Sequence, residues 1–288
     1  MNNRLPFQRS LKKLLPVAYK ACFLLGSLFF DRYWIQTKHV QISSSRLPDI
    51  FSGLRIVQFS DVHLGNFYSL TQLSKAVSHI NQLMPDLILF TGDLYDSKQG
   101  LASEDCIPVL AELKATYGKW AVLGNHDYLS EAKKITSFLH RSGFTVLKNN
   151  NQQVELEGKH INILGLDDWL RGTPNLPKAL KGLHPDDFTI ALVHEPDYAD
   201  IAASFPIDLQ VSGHSHGGQV RIPGIGAIMT TKKGRKYIQG LYKVHGSRLQ
   251  VYANSGLGMT FLPIRFYCRP EVTLFTIKRE IHSSIGKE

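Results

Sequence analysis

The chain has 288 residues, 43% of them hydrophobic and 20% charged, with a formal net charge of +9. That length fits one large domain or two small ones with ample room for a core, and the balance is ordinary for a folded globular protein. Three scattered cysteines (Cys22, Cys106 and Cys268) form no C-x-x-C pair, which excludes a disulfide scaffold.

Residues 1–40 carry seven basic side chains against Asp31 alone, so most of the excess charge precedes a nearly neutral body. That asymmetry points to an anionic membrane surface rather than a nucleic-acid groove. The apolar segment from Leu14 to Ile35 is interrupted by Lys20, and Leu14–Phe30 reaches the lower limit of a span only if Lys20 snorkels. No A-x-A site follows Phe30, and Asp31, Arg32, Tyr33 and Trp34 suit a membrane interface. The expectation is an uncleaved anchor or interfacial helix over residues 1–37, with a cleaved signal or a buried helix as alternatives. Residues 38–280 then form the folded domain and 281–288 a tail.

From Lys38 onward, strand-like and helix-like runs alternate. Leu54–Phe59 reads as a strand, Leu70–Met84 as a helix through Leu73, Ala76, Val77, Ile80 and Leu83, and Asp86–Phe90 as a strand. Pro108–Ala115 reads as a helix, Trp120–Leu123 as a strand, Glu131–Arg141 as a helix, and Thr145–Leu147 and His160–Leu164 as strands. Thr189–Val193, Leu209–Val211, Gln250–Tyr252 and Val272–Ile277 complete the strands. An α/β pattern that turns strand-rich predicts two packed mixed β-sheets flanked by helices.

Five strand-like runs end in metal-binding side chains: Asp61-Val62-His63, Gly92-Asp93, Gly124-Asn125-His126-Asp127, His194-Glu195 and Gly213-His214-Ser215-His216. Side chains alternate along an extended segment, so Asp61 and His63 share one face, as do His214 and His216. One such pair is weak evidence. Two pairs plus a Gly-Asp and a Gly-Asn-His-Asp, each after a strand, can hold two divalent cations side by side.

These blocks, in this order, resemble the calcineurin-like metallophosphoesterases over residues 38–278. The Gly217-Gly218-Gln219 extension and Gly256-Leu257-Gly258-Met259-Thr260 are similar to the YkuE- and YaeI-type bacterial membrane-associated branch. The resemblance implies an αββα sandwich and two divalent metal ions, with manganese, zinc and iron all compatible with the ligands. One ion would take Asp61, His63 and His216, the other Asn125, His194 and His214, with Asp93 bridging. A hydroxide between the ions would attack phosphorus, His126 would protonate the leaving oxygen, and Asp127 would orient His126 or simply cap a helix. The expected activity is hydrolysis of a phosphodiester or pyrophosphate in a lipid-linked substrate such as UDP-2,3-diacylglucosamine, at a bacterial plasma membrane, on either side of it. The alternatives are a phosphodiesterase or protein phosphatase without lipid preference and an inactive metal-binding scaffold. No nucleic-acid partner is expected.

Elsewhere, Asp167-Asp168 reads as a solvated pair or a pocket lining. Lys232, Lys233, Arg235 and Lys236, like Arg265 and Arg269, read as solvated or as facing a phosphate. Phe261, Leu262 and Pro263 read as core or as an acyl-chain contact.

Overall fold

The computed structural model describes residues 31–65, 67–96 and 102–280. The expected N-terminal anchor up to Phe30 and the tail 281–288 lie outside the described residues.

The first half supplies β1 (Gln36–Ser44), β2 (Arg55–Phe59), α1 (Leu70–Gln82), β3 (Leu87–Phe90), α2 (Cys106–Ala111), β4 (Gly118–Ala121), α3 (Asn125–Ser130), α4 (Ala132–Arg141) and β5 (Thr145–Val146). The second half supplies β6 (Asn150–Leu156), β7 (Lys159–Gly165), α5 (Leu176–Ala179), β8 (Thr189–Leu192), α6 (Ala199–Ala202) and β9 (Leu209–Ser212). It continues with β10 (Arg221–Ile222), β11 (Gly226–Ala227), β12 (Gly240–Lys243), β13 (Gln250–Ala253) and β14 (Glu271–Arg279).

One six-stranded sheet runs β1-β14-β2-β3-β4-β5 and the other β12-β13-β9-β8-β7-β6. Both are mixed: β2, β3 and β4 are parallel, whereas β14 runs antiparallel to β2, and β6 and β12 run antiparallel to their neighbours. Consecutive residues of the central strands serve different layers because side chains alternate across a sheet. Leu87 and Leu89 pack between the sheets with Ile190 and Leu192, while Ile88 and Phe90 face α1, α2 and α4. Ala191 and Val193 face α5 and α6 on the far side. Strands buried on both faces read as continuous apolar runs, which is why they were legible. The two packed mixed sheets with helices outside are present as expected.

Three differences from the sequence reading have local causes. β1 is an edge strand whose Lys38 and His39 face solvent, so Gln-Thr-Lys-His carries little apolar signal. β6 is similarly polar and pairs with β7 through Glu157-Gly158, both at positive φ, the geometry of a two-residue hairpin. α2 begins at Cys106, which puts Pro108 in its first turn, where a missing N–H is harmless.

Candidate metal centre

The parallel strands all present their carboxyl ends at one edge, and every expected ligand follows such an end. Beyond β2 and β3 the loops keep pairing: Asp61 N–H donates to Gly92 O at 2.9 Å, His63 to Asp93 O at 3.2 Å and Leu64 to Leu94 O at 2.9 Å. The other sheet is tied in by His214 N–H, which donates to both Asp61 carboxylate oxygens at 3.0 Å. Gly213 N–H donates to His194 O at 3.0 Å. Glycine is required at Gly124 and Gly213 because a Cβ would lie 2.3 Å from Asp93 Oδ1 and 1.9 Å from Ser60 Oγ.

Asp61, His63, Asp93, His214 and His216 all adopt left-handed backbone, with φ between 48° and 65°. A non-glycine residue there costs on the order of 1–3 kcal/mol and persists only where its surroundings impose it. Five such residues in one cluster mark a built site.

Asp61, His63 and His216 form one group close enough to hold an ion, and Asp93, His194 and His214 a second. Asp93 Oδ2 lies 3.6 Å from His63 Nε2 and 3.2 Å from His194 Nε2, so one carboxylate oxygen faces both groups. His216 Nε2 stands 3.5 Å from Asp61 Oδ1. His194 Nδ1 bonds Thr91 O at 2.6 Å, leaving Nε2 for the cluster. His214 is turned the other way: Nε2 bonds Lys232 O at 2.7 Å and leaves Nδ1 inward. Such outer hydrogen bonds fix the ring and tautomer of a metal-ligating histidine.

The donor set fits divalent cations. Both nitrogens of His63, Nδ1 of His216 and Oδ1 of Asn125 are buried without a hydrogen-bond partner among the described residues. Each is a lone pair or donor whose desolvation needs compensation. Asp61 and Asp93 are buried, which opposes ionisation, yet the neighbouring imidazoles of His216 and His194 hold them below the usual carboxylate range. Burial opposes a charge on His194, but Asp93 outweighs it and holds that imidazole well above its ordinary range. Burial and the neighbouring His194 push His214 down to about 4, keeping it neutral. Two buried carboxylates draw positive charge to this spot, His194 is already drawn toward its charged form, and His214 is held neutral, so the cluster suits cations.

His126 stands at the mouth. Its N–H donates to Asp93 Oδ1 at 2.8 Å, and its ring meets His63 edge-on at 4.7 Å between centroids. Burial lowers its pKa, but part of the ring still reaches solvent. His63, Asp93 and His126 also approach one another closely enough to share an ion.

Of the two roles expected for Asp127, the structure shows the helix cap and not the orientation of His126. Its two oxygens accept from the backbone N–H groups of Asp93, Leu94 and Gly124 at 2.8, 2.8 and 3.0 Å. It is fully buried and caps α3, so it positions the Asp93 loop. The carboxylate facing His126 Nδ1 is Asp96, at 3.5 Å. Asp96 was missed, and Asp93-x-x-Asp96 is too common a spacing to have flagged it. Thr91 and Lys232 were missed as ring anchors because they act through carbonyl oxygens, which every residue has.

Other expectations are corrected. Arg265 is neither solvated nor facing substrate: its fully buried guanidinium donates to the carbonyls of Ser255, Gly256, Gly258, Cys268 and Arg269. It thereby braces the Gly-Leu-Gly-Met-Thr loop, whose Gly258 N–H donates to Asp61 O at 2.7 Å. Arg269 stacks over Trp34 at 4.2 Å and lies 3.5 Å from Asp31. Asp167 and Asp168 are buried, not solvated; Asp167 accepts from Tyr128 Oη and Asp168 from Leu170 and Arg171 N–H. Phe261 and Leu262 are exposed rather than core.

A cavity of about 540 Å³ opens over the cluster. Asp93, Asn125, His126, His214 and His216 line it, together with the apolar side chains of Val220, Ile228, Met229, Phe261 and Leu262.

Carboxylates and imidazoles gathered at the strand ends of a double mixed sheet, around a pocket, define a metal-dependent phosphoesterase. The chain belongs to the calcineurin-like phosphoesterase family, whose model matches residues 54–218. It is 40% identical to the metallophosphoesterase YkuE of Bacillus subtilis over 87% of this chain and 88% of that protein. It is 31% identical to phosphodiesterase YaeI of Escherichia coli over 80% and 84%. A transmembrane protein with metallophosphoesterase domain from Danio rerio is 32% identical over 83% of this chain but only 56% of its own length. Among the described residues no helix is long and apolar enough to cross a membrane.

Proposed function

We propose that the chain hydrolyses a phosphodiester or pyrophosphate bond in a lipid-linked anionic substrate, UDP-2,3-diacylglucosamine being the reference compound, with two divalent cations bound. One ion falls to Asp61, His63 and His216, the other to Asn125, His194 and His214, with Asp93 between them. The observation that carries the reading is the pocket, which sets this cluster against an aliphatic wall. A polar phosphate matches the first set of lining residues and an acyl chain the second. Residues 38–280 serve as the catalytic domain, joined by 31–37, because β1 already starts at Gln36, and the residues before Asp31 serve as a membrane-facing segment.

Divalent cations held there acidify water into a nucleophile near neutral pH and screen phosphoryl charge. The chain's own residues do the rest. Thr91 O and Lys232 O hold the two rings, the Asp127 carboxylate fixes the backbone of Asp93, and the Arg265-braced loop fixes Asp61. His126, alone among these imidazoles in standing at the mouth beside Asp96, delivers a proton to the departing oxygen.

The test is a manganese-supplemented assay of the purified chain on UDP-2,3-diacylglucosamine, a polyprenyl pyrophosphate and a chromogenic phosphodiester, with and without chelator. Chelator-sensitive turnover with preference for a lipid substrate is expected. Hydrolysis of the chromogenic diester alone would overturn the lipid reading, and no chelator-sensitive turnover on any substrate would overturn the activity.

A further inference from the structure

The outer wall of the pocket continues onto the surface. β10 and β11 form a short hairpin, and Gln219 ties its base to the next loop: its carboxamide donates to Thr260 O and Leu262 O at 3.2 and 2.9 Å and accepts from Thr260 N–H. The hairpin and this loop turn aliphatic side chains outward, with Ile225 76%, Met229 65%, Ile228 56% and Leu262 53% exposed. Trp34, 63% exposed, lies on the same side, because Arg32 donates to Pro263 O at 3.0 Å and Asp31 accepts from Tyr267 N–H. Scattered exposed apolar residues are ordinary, whereas a contiguous group around a pocket mouth marks an interaction surface.

Charge narrows the partner. From Leu209 to Pro270 the sequence has nine Lys or Arg and no Asp or Glu. Asp31, the acid beside the loop, is buried against Arg269. The thirty residues that precede Asp31 in sequence are rich in basic and apolar side chains. Aliphatic tips with a basic surround match an anionic lipid leaflet: side chains enter the acyl boundary while Lys and Arg meet headgroups. The exposed rings on this face, Trp34 and Phe261, suit the headgroup interface, where aromatic side chains concentrate.

We infer that the face carrying the pocket mouth is a membrane-docking face, on which the Ile222–Met229 hairpin and the Leu262 loop enter an anionic leaflet and the pocket opens toward the lipid. The active site is then presented to substrate still embedded in the bilayer. Docking rests on the lipid-linked reading only for the direction of substrate entry.

The test uses the full chain with Cys22→Ser, since Cys106 and Cys268 are buried. Ile225→Cys is labelled with an environment-sensitive fluorophore and mixed with phosphatidylglycerol–phosphatidylethanolamine vesicles containing a nitroxide lipid. A matched probe at Glu157→Cys sits on the β6–β7 turn, at the end of β7 opposite to the strand ends that carry the ligands. Roughly twofold or greater quenching at 225 with none at 157 is expected. Vesicle-bound protein whose 225 probe stays unquenched, or absence of vesicle binding, overturns the docking face. In parallel, Ile225→Asp should keep hydrolysis of the chromogenic diester and of the lipid pyrophosphate in detergent. It should slow hydrolysis of the same lipid in vesicles about fivefold; equal vesicle rates overturn the inference. Failure of the lipid in detergent would instead sink the substrate reading, so the two are separable.

Discussion

The two walls of the pocket are built on opposite terms. The inner wall is backed by the cluster Asp61, His63, Asp93, His194, His214 and His216, of which Asp93, His214 and His216 line the pocket; all are buried on short loops at strand ends, and all but His194 adopt left-handed backbone. The outer wall is a two-residue-strand hairpin and a loop, with exposed aliphatic tips and an acid-free basic sequence. The inner wall spends conformational energy to hold charged groups at fixed separations. The outer wall exposes apolar area that water disfavours. Chemistry needs the first, because reacting groups must be held in place. The second makes sense where something other than water covers it.

Breaking the inner wall should have the largest effects. Asp93→Asn removes the one oxygen that faces both ligand groups, and a neutral amide bridges two cations poorly. Turnover should fall by about a thousandfold or more, with loss of bound metal measured by elemental analysis; metal content at the wild-type level would refute the bridging assignment. His126→Ala tests the line between ligand and proton donor, which its closeness to His63 and Asp93 makes sharp. A fall in kcat of about a hundredfold with metals retained is expected. Loss of metal together with activity would place His126 among the ligands instead.

How much of this was legible follows the same division. The ligands of the inner wall could be read because metal binding needs Asp, His and Asn side chains, and each ends an apolar strand. What holds those ligands could not be read. Thr91 and Lys232 act through carbonyl oxygens, and Asp127 acts on backbone N–H groups that local sequence does not specify. Arg265 looks in sequence like any loop cation; only the tertiary fold surrounds it with five carbonyls. In the outer wall, Phe261 and Leu262 read as core because burial is the default for apolar residues, and nothing local says that they stand exposed among the described residues. β1 and β6 escaped because edge strands with polar faces dilute the alternation on which strand reading rests.

Arg265 joins the two walls, since its loop leaves the Asp61 site and runs out to Leu262. Arg265→Met keeps the volume but leaves buried carbonyls unpaired, each costing about 1–3 kcal/mol. A loss of roughly 3 kcal/mol in denaturant stability is expected, with weaker metal retention at the Asp61 group. Unchanged stability would mean that the loop holds itself.

The smallest effect belongs to the outer wall. Lys232 holds His214 through its carbonyl, which survives substitution, and its side chain lines the pocket. Lys233 stacks its ammonium 3.6 Å over the Trp169 ring. Replacing both with Glu therefore leaves the ring anchor in place and reverses charge where an anionic substrate arrives. KM for an anionic lipid substrate should rise about five- to tenfold with kcat nearly unchanged, and binding to anionic vesicles should weaken by a similar factor. If kcat falls instead, the loop acts through His214 and the two walls are mechanically one. If neither KM nor vesicle binding moves, the basic run is a solvated loop, and the positive charge that matters lies elsewhere on the rim.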